Sequence, residues 1–503
     1  MTGAMLMFAA GLHSAAKPIY GGTLRVELRA TASALNPAQW KAGSAEFAAN
    51  ERLAELMFDR LVTLDNYGRF QPALATEWSH DGNVKRWQFT LRAGVKFSDG
   101  TKLLPSDVVS ALQPILPRGV QILATANGVA IQSANAVNDL LEMLASGPYF
   151  VYRDDGKGAL SGTGPFLLEN FPRTSKPGEK NSVDGDGGAT QHFRFRYNDG
   201  YWGGRPYVDA IDVTLGVPPL RALLDVQLGK ADLAELSEDT ARRAQQANLR
   251  LWTSWPLTLY AVRFPSRAKS ATDQALREAL SLSLERKALA RVLLQRQAEP
   301  AESLLPQWLS GYASLFDEES NLERAKAIRA SLPATAAGVA QPLRLSIDSS
   351  NDLLRLIGER VAVNARAAGL TVQIVSRSGV RAAGDGATAK LESEAQLVRW
   401  RYTSLSSREA LESEAAAWRW EIPEGDGLAD ADAQYAWEKR VMEERRILPL
   451  VAVPDFAAAD TRLRNWSPAV WGEWRLADVW LDQAEAGGRS NEGAAKIETG
   501  ARP

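Results

Sequence analysis

Trp87, Phe89 and Leu91 alternate with Gln88, Thr90 and Arg92, a period of two that predicts a strand with one buried face. Asp81-Gly82 just upstream is a tight-turn pair, so this strand closes a hairpin with the chain before it. Gly94 breaks the pattern, and Val95 and Phe97 predict a second short strand. Asp99-Gly100 then turns the chain, because glycine reaches positive φ without a steric cost. A helix follows: Pro105 suits its first position, where no N–H is needed, and Asp107 lies in the first turn, where the helix dipole favours a carboxylate. Leu104 stands at the cap and cannot accept a hydrogen bond there, a small local cost.

The same reading extends along the chain. Leu24, Val26 and Leu28 predict a first strand after Gly21-Gly22, and Leu53, Leu56, Met57 and Leu61 predict an amphipathic helix over 51–61. Residues 259–264 read as a crossing strand, and Leu276, Leu280, Leu284 and Ala288 place a helix over 273–294. Residues 343–347, 353–368 and 370–375 form a strand-helix-strand unit. Gly369 supplies its helix cap, and a right-handed crossover makes the two strands parallel. Residues 447–453 read as a buried strand. Residues 173–191 read as a surface loop whose Asp184-Gly185-Asp186 lacks the spacing of a calcium loop. From 484 onward, low apolar content predicts a disordered tail.

Pro72-Ala73-Leu74-Ala75 before Trp78, then Phe89-Thr90-Leu91-Arg92, Gly94-Val95-Lys96-Phe97, Asp99-Gly100 and Asp107-Val108 form one dense succession. It resembles the signature of the family 5 extracellular solute-binding proteins, the periplasmic oligopeptide- and dipeptide-binding proteins of ABC importers. Gly162-Thr163-Gly164-Pro165-Phe166, the run 198–213 with its Tyr201-Trp202, and Leu228-Gly229-Lys230-Ala231-Asp232 continue the likeness, which covers most of 20–481. The resemblance implies an α/β fold: a two-lobed periplasmic binding protein of the large type II class with an extra domain, its mixed sheets flanked by helices. Lobe I would take 20–50, 160–255 and 467–483, the reduced extra domain 51–159, and lobe II 256–466.

Composition narrows the function further. At 503 residues the length predicts about three domains, and the formal charge of −2 gives no footprint for nucleic acid. The absence of cysteine removes disulfides, thiol nucleophiles and thiolate metal sites. His13, His80 and His192 are too scattered for a zinc site or a Ser-His-Asp triad, so no metal, cofactor or enzyme activity is expected. Carboxylate pairs stay open, since Asp and Glu number 60. Residues 4–12 are apolar but too short to span a bilayer. With Ser14-Ala15-Ala16 behind them, 1–16 reads as a signal peptide, although no Lys or Arg precedes the run. No cysteine follows it to carry a lipid, so the expectation is an exported, soluble, periplasmic protein.

The resemblance also places the ligand. Leu35-Asn36-Pro37 resembles the family loop that lies beside the ligand, and Tyr260 and Arg263 sit on the crossing strand. Peptide-binding members carry Trp-x-x-Asp, whose carboxylate anchors the ammonium of the peptide. Here Trp400, Arg401, Tyr402 and Thr403 occupy that stretch, with Thr403 in place of the Asp. With Arg399 and Arg401 nearby and no carboxylate, the expected ligand lacks a free ammonium and is anionic or polyhydroxylated; the alternative is that the two arginines face water and another acid does the anchoring. Most of the 15 tryptophans are expected in cores, with Trp400, Trp418 and Trp420 as the cluster that could face a ligand instead. The function implied is capture of a small solute or peptide between the lobes, without a cofactor, by a monomer that delivers it to an ABC permease in the inner membrane. A ligand-presenting receptor, a binder of a non-peptide solute and, more remotely, a secreted hydrolase are the alternatives.

Overall fold

The computed structural model describes residues 17–156, 158–170, 190–312, 319–348, 351–377, 394–423 and 427–482. The signal peptide read at 1–16, the Asp184-Gly185-Asp186 loop and the tail from 484 lie outside these. Among the described residues, no helix is long and apolar enough to cross a membrane.

A mixed sheet of 11 strands runs through the molecule. Ten of its strands are β1 (Thr23–Leu28), β2 (Phe166–Asn170), β3 (Gln191–Tyr197), β4 (Ala210–Leu215) and β5 (Leu233–Leu236), then β6 (Arg250–Arg263), β7 (Leu343–Asp348), β8 (Val372–Arg377), β9 (Ala395–Arg401) and β10 (Ile447–Ala459). Their order is β2-β3-β4-β1-β5-β10-β6-β9-β7-β8, and Glu299–Pro300 adds a short strand on β10. β1 lies parallel to β4 and β5, and β7 lies parallel to β8 and β9. Between these two halves stand β6 and β10, an antiparallel pair of 14 and 13 residues. Their first ends, Arg250–Thr253 against Phe456–Ala459, belong with β5; their other ends pair 258–263 with 447–453 and carry β9. The register shifts on either side of Pro256, which stands opposite Pro454. Two lobes thus share one sheet that bends at facing prolines.

Both lobes are packed on apolar cores, one of which takes side chains from each of them. Leu24, Val26, Leu53, Phe166, Phe195, Trp466 and Trp474 fill the first. In the second, β7, the helix Asp352–Ala367 and β8 form the expected parallel unit, with Gly369 at φ +80° closing the helix. Trp400, Trp418, Trp420 and Trp437 line up behind β9 with successive ring centroids 5.0, 4.8 and 6.2 Å apart. All four are core residues. Two carboxylates share that core. Glu414 is fully buried and finds no hydrogen-bond partner among the described residues. Glu438, also fully buried, accepts the N–H groups of Leu304 at 2.5 Å and Leu305 at 3.3 Å and the hydroxyl of Tyr312.

The extra body packs a four-stranded antiparallel sheet, in the order Ala75–His80, Arg86–Leu91, Gly128–Ser133, Val120–Ala124, against the helix Pro105–Leu112. Trp87 and Phe89 are buried, as their alternation requires. Asp99-Gly100 turns with Gly100 at φ +83°, but the expected strand at Val95 and Phe97 is reduced to a bridge between Lys96 and Lys102. Asp107 accepts the Leu104 N–H at 2.7 Å, the reciprocal half of a capping box, while the leucine side chain leaves the other half unmade. Two helices differ from their expected bounds. The first runs Phe47–Met57, and the one expected over 273–294 stops at Ser283 and resumes as Arg286–Ala288 and a π turn over Leu289–Leu293.

Candidate functional site

Charge gathers where the shared sheet bends. Asp455 follows Pro454 in β10 and receives Arg401, the last residue of β9, through Nη1 to Oδ1 at 2.8 Å and Nη2 to Oδ2 at 2.9 Å. Arg52, on the helix Phe47–Met57, donates Nη2 to Asp455 Oδ2 at 2.9 Å and lies 3.1 Å from Glu235 of β5 through Nη1. The Asp455 N–H donates to Ser254 Oγ of β6 at 2.8 Å. All four charged side chains are largely buried. Burial alone would raise the Asp455 carboxyl, but the charges of Arg401 and Arg52 outweigh it and hold the group below the usual carboxylate range. The network therefore ties both lobes to the bend as ions.

Beside it lies a cavity of about 310 Å³ that both lobes line. Arg29, just past β1, Pro218, Glu235 and Glu238 face it from one lobe; Tyr260, Asn351 and Arg399 face it from the other. Tyr260 and Arg399 are direct partners across β6 and β9, and the charge of Arg399 acts on the tyrosine hydroxyl. Burial pushes that hydroxyl up to about 12, although Arg399 opposes the shift. At neutral pH it is a proton-bearing donor.

A second, smaller chamber of about 30 Å³ opens on the other side of Arg401. Glu51, Glu55 and Glu473 line it with Arg60, Arg401 and Thr403, which is room for one water-sized group. Arg60 holds Glu51 at 2.8 Å and Arg475 holds Glu473 at 3.0 Å. Burial pushes Glu55 well up, and its neighbours Glu473 and Glu51 add to the shift. The structure thus corrects the expectation that an ammonium near Thr403 would meet arginine and no carboxylate. Arg401 is already matched by Asp455, and Glu51 and Glu55, from the helix Phe47–Met57, line the same chamber as Thr403. Among the described residues, no three His, Cys, Asp or Glu side chains stand close enough to hold a metal ion.

Between the two spaces the lobes touch. Gly43 forms an antiparallel bridge with Arg401 and lies on the Trp400 ring so closely that an added Cβ would stand 2.2 Å from it. Its φ of +73° also favours glycine.

The expected site residues divide accordingly. Tyr260 and Arg401 line the larger cavity, and Arg401, Tyr402 and Thr403 the smaller chamber. Arg263 points elsewhere, bonding Gln396 Oε1 at 2.9 Å and the Trp418 carbonyl. Leu35 packs against the first core, and Asn36 caps a short 3-10 helix while accepting the Tyr152 hydroxyl at 2.8 Å and donating to Asp154. Trp400 enters the tryptophan row, with Gly43 against its ring. Arg29, Arg52, Glu238 and Asp455 escaped the sequence reading. Asp455 had a signal, a lone acid inside an otherwise apolar strand; the others were ordinary surface charges until the fold enclosed them.

A family model described as bacterial extracellular solute-binding proteins, family 5 Middle, matches residues 69–412. The nickel-binding periplasmic protein of Escherichia coli (strain K12) is 25% identical over 370 residues, 65% of this chain and 67% of that protein. Di/tripeptide-binding protein 2 of Pseudomonas aeruginosa is 22% identical over 396 residues, 69% of each. Among solved structures, the dipeptide binding protein from Pseudoalteromonas sp. SM9913 in complex with Met-Leu superposes with a TM-score of 0.72 at 16% identity, covering 92% of this chain and 100% of that one.

Proposed function

The chain belongs to the bacterial extracellular solute-binding proteins of family 5, and from that premise we propose that it captures a small solute between its lobes and hands it to the permease of an ABC importer. The observation that supports this best is the 310 Å³ cavity lined from both sides of the bend. A solute touching both lobes stabilises the arrangement in which they are close, in proportion to its extra affinity for that arrangement, and the permease reads the result. The solute leaves chemically unchanged, and the protein works outside the cytoplasmic membrane. Relatives named for nickel and for di- and tripeptides set the range of solutes to try.

Mass spectrometry of compounds released from the purified protein on denaturation, followed by small-angle scattering with each compound added back, tests the proposal. A released solute that shrinks the radius of gyration supports it. A radius unchanged by every released compound and by a di- and tripeptide pool, or conversion of any of them to product, overturns it.

A further inference from the structure

The larger cavity carries an imbalance of charge that its neighbours do not cancel. Asp455 is taken by Arg401 and Arg52, and Glu235 by Arg52. Arg29 and Arg399 are left to share Glu238, in the first turn of the helix Glu238–Gln246, and part of Glu235, which also accepts the Arg29 backbone N–H at 3.1 Å, so the arginines about the cavity exceed its acids by one. Among the described residues, neither arginine side chain forms an ion pair. Arg29 spends Nη1 on the Leu236 carbonyl at 3.3 Å, and the partner of Arg399 across the sheet is the neutral Tyr260. A guanidinium offers five donors in a planar fork, so most of the donors on both residues remain uncommitted.

Their placement is as telling as their charge. Arg29 extends from the end of β1 in one lobe, whereas Arg399 stands on β9 in the other, paired across the sheet with Tyr260. Gly43, bridged to Arg401 and seated on Trp400, limits how far a solute extends along β9 past this point. At about 310 Å³ the space is at the small end of ligand pockets.

We propose, building on the solute-capture reading above, that the solute carries a carboxylate clasped between Arg29 of one lobe and Arg399 of the other, with the Tyr260 hydroxyl as a third donor. The anion then gains contacts only when both lobes are present, which makes carboxylate recognition and approach of the lobes one event.

Isothermal calorimetry tests this with a pool of dipeptides and small carboxylic acids, the same compounds as amides, and the full-length chain as wild type, Arg399→Gln, Arg29→Gln and Tyr260→Phe. Free acids binding at least tenfold more tightly than their amides, with Arg399→Gln and Arg29→Gln each losing tenfold or more and Tyr260→Phe a few-fold, is the expected result. Thermal melts that coincide with wild type show that the variants fold; a variant that does not is replaced by Arg399→Lys or Arg29→Lys, which keeps the charge and loses the fork and is expected to bind the acids several-fold more weakly. Equal binding of acids and amides overturns the clasp, as does wild-type affinity in both arginine variants or the absence of binding by every free acid. If neutral compounds alone bind and compact the protein, the clasp fails while solute capture stands. If nothing released or added compacts it, capture fails as well.

Discussion

Asp455 at the bend and Glu438 in the tryptophan core of the second lobe are both carboxylates withdrawn from water, yet the chain surrounds them differently. Two arginines from different parts of the fold converge on Asp455, and it stays ionised. Glu438 meets N–H and O–H donors but no cation, and its neighbour Glu414 meets none of these among the described residues. Burial pushes Glu438 up to about 7, and burial together with Glu438 pushes Glu414 well up. Charge is preserved where the lobes join, at the cost of desolvating four side chains. Inside the lobe it is largely given up to a bound proton.

The sharpest way to break this comparison is Asp455→Ala. It leaves Arg401 and Arg52 buried without their shared partner and is expected to cost about 3–5 kcal/mol in urea unfolding. A loss under about 1 kcal/mol would mean that the network is not held as matched ions.

Next in size is a contrast in pH. Burial pushes the folded Glu438 carboxyl up to about 7, above its ordinary value of 4.5. Its contribution is therefore fully present below 4.5 and declines as pH rises toward 7, by about 3 kcal/mol at about 1.4 kcal/mol per unit. Asp455 has the opposite sign: Arg401 and Arg52 hold its folded carboxyl below the ordinary value of 3.8, so its contribution is present above 3.8 and declines as pH falls. Unfolding free energies measured from pH 3 to 8 should show both limbs, with Glu438→Gln making the upper one shallower, since Glu55 and Glu414 are raised as well, and leaving the lower intact. An unchanged upper limb in that variant would remove the contrast.

The smallest expected effect belongs to Ser254→Ala. It deprives the Asp455 N–H of its acceptor and should lower stability by about 1 kcal/mol while leaving both pH limbs in place.

Local rules carried much of the fold. The alternation at Trp87 and Phe89, the turn at Gly100 and the unit closed by Gly369 each depend on neighbours in sequence, so periodicity and φ preference suffice to read them. The bend was not readable in this way. Pro256 and Pro454 argue against strand interiors when met singly, and their facing arrangement exists only once 200 residues of intervening chain have folded. The same holds for the site. Arg401 and Thr403 were visible through a family motif, whereas Glu51, Glu55 and Glu473 reach Thr403 from distant segments and no spacing announces them. Trp400, expected in the cluster that could face a ligand, packs in the tryptophan core instead, and the residue on its ring is Gly43, whose only mark in the sequence is the lack of a side chain.

The facing prolines have a mechanical corollary. Neither Pro256 nor Pro454 owns an N–H, so at that one level the two long strands have no rungs of their own to lose. A small change of angle there need not shear any backbone ladder, while the rows above and below stay laced. Like a crease scored into card, this line is where a change of angle between the two halves would break the fewest backbone bonds.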